Sequence, residues 1–218
     1  MIRYPIIVRD DFFEDPDSIV ELANSVDYSI NQDAWPGKRS APLQEINQRF
    51  FDYFTSKVFE CFGLVPSGAE IEAMFQKITP YSQNKWDIKN RGCIHLDSAN
   101  SVVFGGIVYL TKNADKDTGT SIYRPKEGFY YDNPEERKMK RKLYGGEDVT
   151  DDEYAQKYNS YNDQFEETIK VDNIYNRFFA FPNTAWHGVR TFGTEERLTI
   201  PFFCRRVDFP EPNHNESN

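Results

Sequence analysis

Residues 69–79, AEIEAMFQKIT, mark the point where the chain changes its pattern. Before them, apolar residues recur every three or four positions; from them onward, apolar residues come in short runs rich in β-branched and aromatic side chains. The first spacing belongs to helices with one buried stripe, the second to strands whose side chains alternate between two faces. On the N-terminal side, Asp15 can cap a helix that Pro16 opens, with Ile19, Leu22, Ala23 and Val26 on one face. A longer helix follows, in which Ile46, Phe50, Phe54, Val58 and Phe62 stand four apart and Gly63 supplies the stop. Residues 4–8 read as a short strand, and Trp35-Pro36-Gly37-Lys38-Arg39 as a turn or loop.

On the C-terminal side, strands are predicted over 69–79, 93–97, 101–111, 120–123, 177–181 and 198–207. Helices followed by strands predict a mostly β structure with flanking helices, an α+β arrangement built on antiparallel sheet. Residues 124–172 interrupt the strands. They are charged and tyrosine-rich, with helix-like runs at 134–143 and 151–168, and read as either a lid or a decorated surface loop. Few apolar anchors per residue predict that this insertion moves more than the strands do.

Length allows one well-buried domain over 1–218: supporting elements in 1–68, the core in 69–207 with the 124–172 insertion, and a tail in 208–218. Only 39% of residues are hydrophobic, but 16% are aromatic, and large rings offset the polar average. A net charge of −9 argues against the phosphate backbone of a nucleic acid as partner. Cys61, Cys93 and Cys204 are odd in number and widely spaced, which is no disulfide framework. With no cleavage-site pattern at the N-terminus and no long apolar run, a soluble, cytoplasmic protein with no membrane partner is expected.

The candidate chemistry lies in the histidines. His214 sits in the polar tail and is set aside. His95 and Asp97 flank Leu96 in a predicted strand, where residues two apart share a face. His187 follows the strand at 177–181 and a Pro182-Asn183-Thr184 turn. Should it return to the same point, two imidazoles and one carboxylate would cover one face of a metal, the set used by non-haem iron(II) oxygenases. Singly, such a triplet arises by chance, and a histidine after a strand is commonly a turn residue. Arg197 comes ten residues after His187 and shares a strand face with Thr199, while Leu198, Ile200 and Phe202 take the other. A guanidinium inside a sheet calls for an anion, and its planar fork suits a carboxylate; on an edge strand it would be a surface residue.

In that order and spacing, His95-Leu96-Asp97, His187 and Arg197 resemble the 2-oxoglutarate- and iron(II)-dependent oxygenases, particularly their prolyl-4-hydroxylase-like branch. The strand Ile107-Val108-Tyr109-Leu110-Thr111, the stretch from Thr118 to Tyr123, and Phe178 through Val189 fit the same branch, so the resemblance covers about residues 71–206. It implies a double-stranded β-helix, or jelly roll. It implies that His95, Asp97 and His187 bind Fe(II) and are the catalytic set. It further implies that Arg197 binds the far carboxylate of the co-substrate 2-oxoglutarate, aided by a hydroxyl from Thr199 or Tyr109. The implied reaction consumes O2, releases succinate and CO2, and hydroxylates a peptide side chain or small molecule. A loop at 81–92 and the 124–172 insertion are longer than the branch has, which leaves the substrate open. Competing readings are a jelly-roll binding module without turnover and a cupin-like metalloenzyme that does not use 2-oxoglutarate. Two further features bear on the pocket: the Trp35–Arg39 loop can either reach over it or pack on its own helices, and Cys93 can either line it or fill space.

Overall fold

Alternation along three strands sorts the side chains into two layers. In the computed structural model, which describes residues 4–30, 35–97, 102–129, 133–145 and 152–210, these strands are β5 (Phe104–Tyr109), β8 (Phe178–Pro182) and β10 (Arg197–Asp208). Phe104, Val108, Phe178, Ala180, Leu198, Ile200 and Phe202 face one way, into a core shared with the N-terminal helices. Ile107, Tyr109, Phe179 and Phe181 face the other way, into a second cluster with Ile122 and Val171. His214 lies outside the described residues.

The helical layer forms as its caps dictate. The Asp15 carboxylate accepts from the Ser18 N–H at 3.2 Å and opens α1 (Pro16–Ser25). The long helix expected from Ile46 is divided. Ile46 ends the short α2 (Leu43–Ile46), and extended Asn47 caps α3 (Gln48–Phe62) by accepting from the Phe50 N–H at 3.1 Å. An Asx cap competes with the helical backbone at this position and wins. Phe12, Phe178 and Phe202 stack in series with centroids 4.8 and 5.5 Å apart, and Phe54 meets Phe202 edge-on at 5.6 Å. Gly63 ends α3 at φ +63°, with nothing within 4 Å of a Cβ built on it. Gly63→Ala is therefore expected to lower stability by about 1 kcal/mol through backbone strain alone. Urea unfolding measures this; an unchanged midpoint would show that the helix end relaxes.

The larger sheet has seven strands in the order β1 (Ile7–Arg9), β8, β5, β10, β4 (Gly68–Ile78), β3 (Lys38–Pro42), β2 (Ser29–Ile30). The smaller has three, β7 (Phe165–Val171), β6 (Thr120–Pro125) and β9 (Trp186–Val189), and every pairing is antiparallel. The chain is thus mostly β, with five α-helices among the described residues. No helix among those residues is long and apolar enough to cross a membrane.

Three further sequence expectations are corrected. Residues 93–97 do not form a strand; His95 makes a single antiparallel bridge with His187. Part of the 35–39 loop is strand, because Lys38 and Arg39 pair with Lys77 and Gln76 of β4. The helix expected through Thr168 stops at Asn162 as α5 (Asp152–Asn162), and the next residues become β7 because β6 offers them a partner.

The insertion also has more apolar anchors than its composition suggests. Met139 and Leu143 of α4 (Asn133–Tyr144) and Tyr158 and Tyr161 of α5 pack with Phe165, Cys93 and Ile94. The fully buried Tyr158 hydroxyl donates to the Arg91 carbonyl at 2.6 Å. Hydrogen exchange should find the amides of α5 as slow as those of β6; fast exchange there would restore the mobile insertion.

Candidate metal centre

His187 lies on β9 opposite Ile122 of β6, and backbone bonds of 2.9 Å in both directions bring His95 beside it. The rings are 4.4 Å apart at their centroids. His95 Nδ1 lies 2.8 Å from the Cys93 carbonyl and His187 Nδ1 lies 3.0 Å from the Ala185 carbonyl. A carbonyl only accepts, so each Nδ1 carries the proton and each Nε2 presents a lone pair. Asp97 Oδ1 lies 3.9 Å from His95 Nε2 and 3.7 Å from His187 Nε2. The set converges with all its ligand atoms within 4.8 Å of one another.

Acceptors that face acceptors repel unless a cation or proton stands between them. A proton on His95 is disfavoured. Burial first, then Lys140 and His187, hold its pKa well below the ordinary imidazole range, although 30% of its side-chain surface still meets the cavity. The donor set therefore fits a divalent metal, and two imidazoles with one carboxylate match non-haem iron(II). Room for the carboxylate comes from β5. A Cβ at Gly105 would stand 2.9 Å from Asp97 Oδ2, closer than real Cβ contacts allow. Gly105→Ala is expected to shift Asp97 and weaken metal affinity by about tenfold or more, on the scale of changes around metal ligands. Metal titration of the folded variant checks this; unchanged affinity would place Asp97 outside the ligand set.

Arg197 opens β10 and is 2% exposed. Its Nε donates to the Thr118 carbonyl at 3.0 Å, and its guanidinium lies 5.5 Å from the centre of the Tyr109 ring. Its Nη2 has no partner among the described residues, nor has the buried Thr199 hydroxyl. Burial lowers the guanidinium pKa, and no carboxylate among the described residues is paired with it. Such an unpaired interior cation is costly and invites an anion. The Tyr109 hydroxyl is occupied in part, accepting from the Thr120 N–H at 2.9 Å.

One cavity of about 130 Å³ touches His95, Asp97, His187 and Arg197 together. Tyr109 and Thr199 are fully buried and are not on its wall; they adjoin one another in register on β5 and β10. Trp35, Arg39 and Cys93 are on the wall. So are Gln76 and Lys140, which sequence reasoning passed over, and Tyr144, one of the insertion tyrosines expected to be able to close over a substrate. Gln76 carried only a weak signal, a neutral polar residue directly after the apolar Ala73-Met74-Phe75. Lys140 carried none, since it sits among like charges in 137–142.

Solved structures similar to this chain include 2-oxoglutarate- and iron(II)-dependent oxygenases. HygX from Streptomyces hygroscopicus, with nickel and 2-oxoglutarate bound, matches with a TM-score of 0.57 over 93% of this chain and 83% of its own, at 13% identity. An oxidoreductase of the 2OG-Fe(II) oxygenase family from Burkholderia pseudomallei matches at 0.52, covering 94% and 86%, at 14% identity. A prolyl hydroxylase from Trichoplax adhaerens, in complex with a hypoxia inducible factor oxygen degradation domain peptide fragment, matches at 0.51, covering 92% and 83%, at 12% identity. No curated protein matches in sequence. The fold is that of the 2-oxoglutarate- and iron(II)-dependent oxygenases, prolyl hydroxylases among them. The chain belongs to DUF6445, a family of unknown function whose model spans residues 2–194.

Proposed function

We propose that this chain is a 2-oxoglutarate- and iron(II)-dependent dioxygenase that hydroxylates a peptide side chain or small molecule, releasing succinate and CO2. The observation that carries this reading is one cavity with two complementary ends. One end is three converging metal-ligand side chains, among which burial disfavours a proton on His95, and the other is a buried guanidinium with an N–H left over. A dicarboxylate bridging a metal and a cation answers both. In this reading the two sheets form a double-stranded β-helix, residues 1–218 act as one domain, and the protein works inside the cell, in keeping with free Cys61, Cys93 and Cys204.

His95, Asp97 and His187 would hold the iron, and the Cys93 and Ala185 carbonyls fix the tautomer that exposes each Nε2. Arg197 would bind the distal carboxylate of 2-oxoglutarate through its fork, and the unpartnered Thr199 hydroxyl, which lies off the cavity wall, would turn to it as a second donor once the ligand is seated. The Tyr109 ring beneath the guanidinium keeps it in place. Bound iron(II) and 2-oxoglutarate would supply O2 activation by oxidative decarboxylation. Apolar wall residues would limit water around them: the Phe181 ring lies 4.2 Å from that of His187, and the buried Phe192 also lines the cavity.

The test is iron-dependent succinate release from 2-oxoglutarate under air, across a panel of metabolites and peptides. Succinate above the iron-only background, absent in His187→Ala, is expected. No succinate with any partner, from protein that binds iron, would defeat the proposal.

A further inference from the structure

The co-substrate reading leaves two donors in the cavity wall unused. Arg39, on β3, places its guanidinium 4.1 Å above the Trp35 ring and 5.9 Å from that of Phe203. Arg39 Nε and Trp35 Nε1 are both buried, and neither has a hydrogen-bond partner among the described residues. Both residues line the cavity that holds His95, Asp97 and His187. A buried N–H without an acceptor is unfavourable, and two of them stacked together are a prepared site rather than a packing accident.

The pair is held in place. Gln76 Nε2 donates to the Pro36 carbonyl at 2.7 Å, and the Gly37 N–H donates to the Tyr81 hydroxyl at 3.1 Å. Gly37 sits at φ +75°, and a Cβ there would stand 2.2 Å from the Lys77 carbonyl, so only glycine lets the loop lie this close to β4. Across the sheet, Arg39 is level with Gln76, Gln76 with Thr199, and Thr199 with Tyr109. One polar row thus runs across three strand pairings, with Arg39 and the Arg197 region at separate positions along it. At the spacing of adjacent strands, Arg39 and Thr199 are roughly 10 Å apart at the backbone, enough for two different ligands.

The charges on the wall select an anion. Asp97 is the single acidic residue among the described lining residues, against Arg39, Lys140 and Arg197. Burial lowers the Arg39 pKa to about 10, which leaves it charged at neutral pH. A planar fork beside an indole N–H offers donors in the geometry of a carboxylate. Most of the remaining wall, including Ile78, Ile107, Phe192 and Pro201, is apolar. We propose that Arg39 and Trp35 form the subsite for a carboxylate of the molecule to be oxidised, so that the substrate is a small organic acid with an apolar body. Calling that molecule the substrate rests on the dioxygenase reading; the carboxylate site itself does not.

The experiment is a nitrogen–proton correlation spectrum of the full chain, with the Trp35 indole N–H and the Arg39 Nε–H as local reporters. The probes are acetate, its neutral isostere acetamide, and inorganic phosphate. Acetate is expected to shift both signals saturably and acetamide to leave them in place. Arg39→Gln should weaken acetate at Trp35 by about tenfold or more, the scale of a charge-assisted bond, and Arg197→Ala should not. Arg39→Met should not lower the midpoint of thermal unfolding, because the half-buried guanidinium, though Glu72 and Asp97 attract it, makes no ion pair among the described residues and leaves its Nε without an acceptor. A lower midpoint would mark Arg39 as structural and overturn the proposal. So would equal shifts with acetamide, no shift with acetate, or tighter binding of phosphate, which would assign a phosphate ester instead. If Arg39→Gln weakens 2-oxoglutarate as much as Arg197→Ala does, Arg39 belongs to the co-substrate clamp and the proposal falls. If the protein binds neither iron nor 2-oxoglutarate while Trp35 still answers acetate, the dioxygenase reading fails and the anion site stands.

Discussion

His187→Ala is expected to abolish iron(II) binding while leaving the chain folded. Altering groups around a metal's ligands costs about 10–100-fold in affinity, so loss of a ligand should exceed roughly a hundredfold. The fold should survive because His187 contributes two backbone bonds to the His95 bridge that alanine keeps, and the aromatic series through Phe12, Phe178 and Phe202 lies on the opposite face of the larger sheet. Asp97→Asn should lose metal as well, yet stabilise the metal-free protein, because an amide N–H can donate to an Nε2 where the carboxylate cannot. Anaerobic metal titration with thermal melts of the same samples checks both. Full-strength iron binding by His187→Ala would remove it from the ligand set, and a less stable metal-free Asp97→Asn would show that a proton already bridges the acceptors.

Arg197→Ala is expected to weaken 2-oxoglutarate by on the order of thirtyfold or more without affecting iron. Breaking a desolvated charged pair costs about 2–5 kcal/mol, and each 1.4 kcal/mol is about a factor of ten. Arg197→Lys should be little better, because an ammonium cannot reproduce two parallel bonds, and the Thr118 carbonyl that accepts from Nε would lose its partner. Arg197 is a buried cation without a carboxylate partner among the described residues, so weakened ligand binding in a variant of unchanged or higher melting temperature is the expected pair of results. Unchanged 2-oxoglutarate affinity in Arg197→Ala would move the clamp elsewhere.

The sequence carried most of the strand and helix layers because their patterns are local. The four-residue interval through Phe50, Phe54 and Val58 belongs to a buried helix face, and the alternation from Leu198 to Phe202 belongs to a core-facing strand. What escaped depends on partners distant in the chain. Residues 93–97 form no strand: the segment lies against β9 but makes a single bridge, to His187, and that contact suffices to orient His95. Lys38 and Arg39 become strand because β4 has a free edge, and nothing in the local sequence states that. β7 was masked by the helical run ahead of it, and the tyrosines of the insertion, composed like a polar loop, turned out to anchor it. Spacing also identified residues that meet at one cavity, His95, Asp97, His187 and Arg197, because their type and order are distinctive. The sequence also singled out the Trp35–Arg39 loop as able to reach the pocket or pack on its own helices; the place of both residues on the cavity wall, with Arg39 Nε and Trp35 Nε1 buried and unpartnered among the described residues, is what the structure adds.

The most direct test is calorimetric titration of 2-oxoglutarate into the protein under anaerobic conditions, with and without iron(II). A metal at His95, Asp97 and His187 and a cation at Arg197 sharing one ligand should give one site per chain, with affinity at least about tenfold higher when iron is present, since the metal binds one end of the molecule. Binding of equal strength with and without iron, or none with iron bound, would contradict a shared metal and co-substrate site.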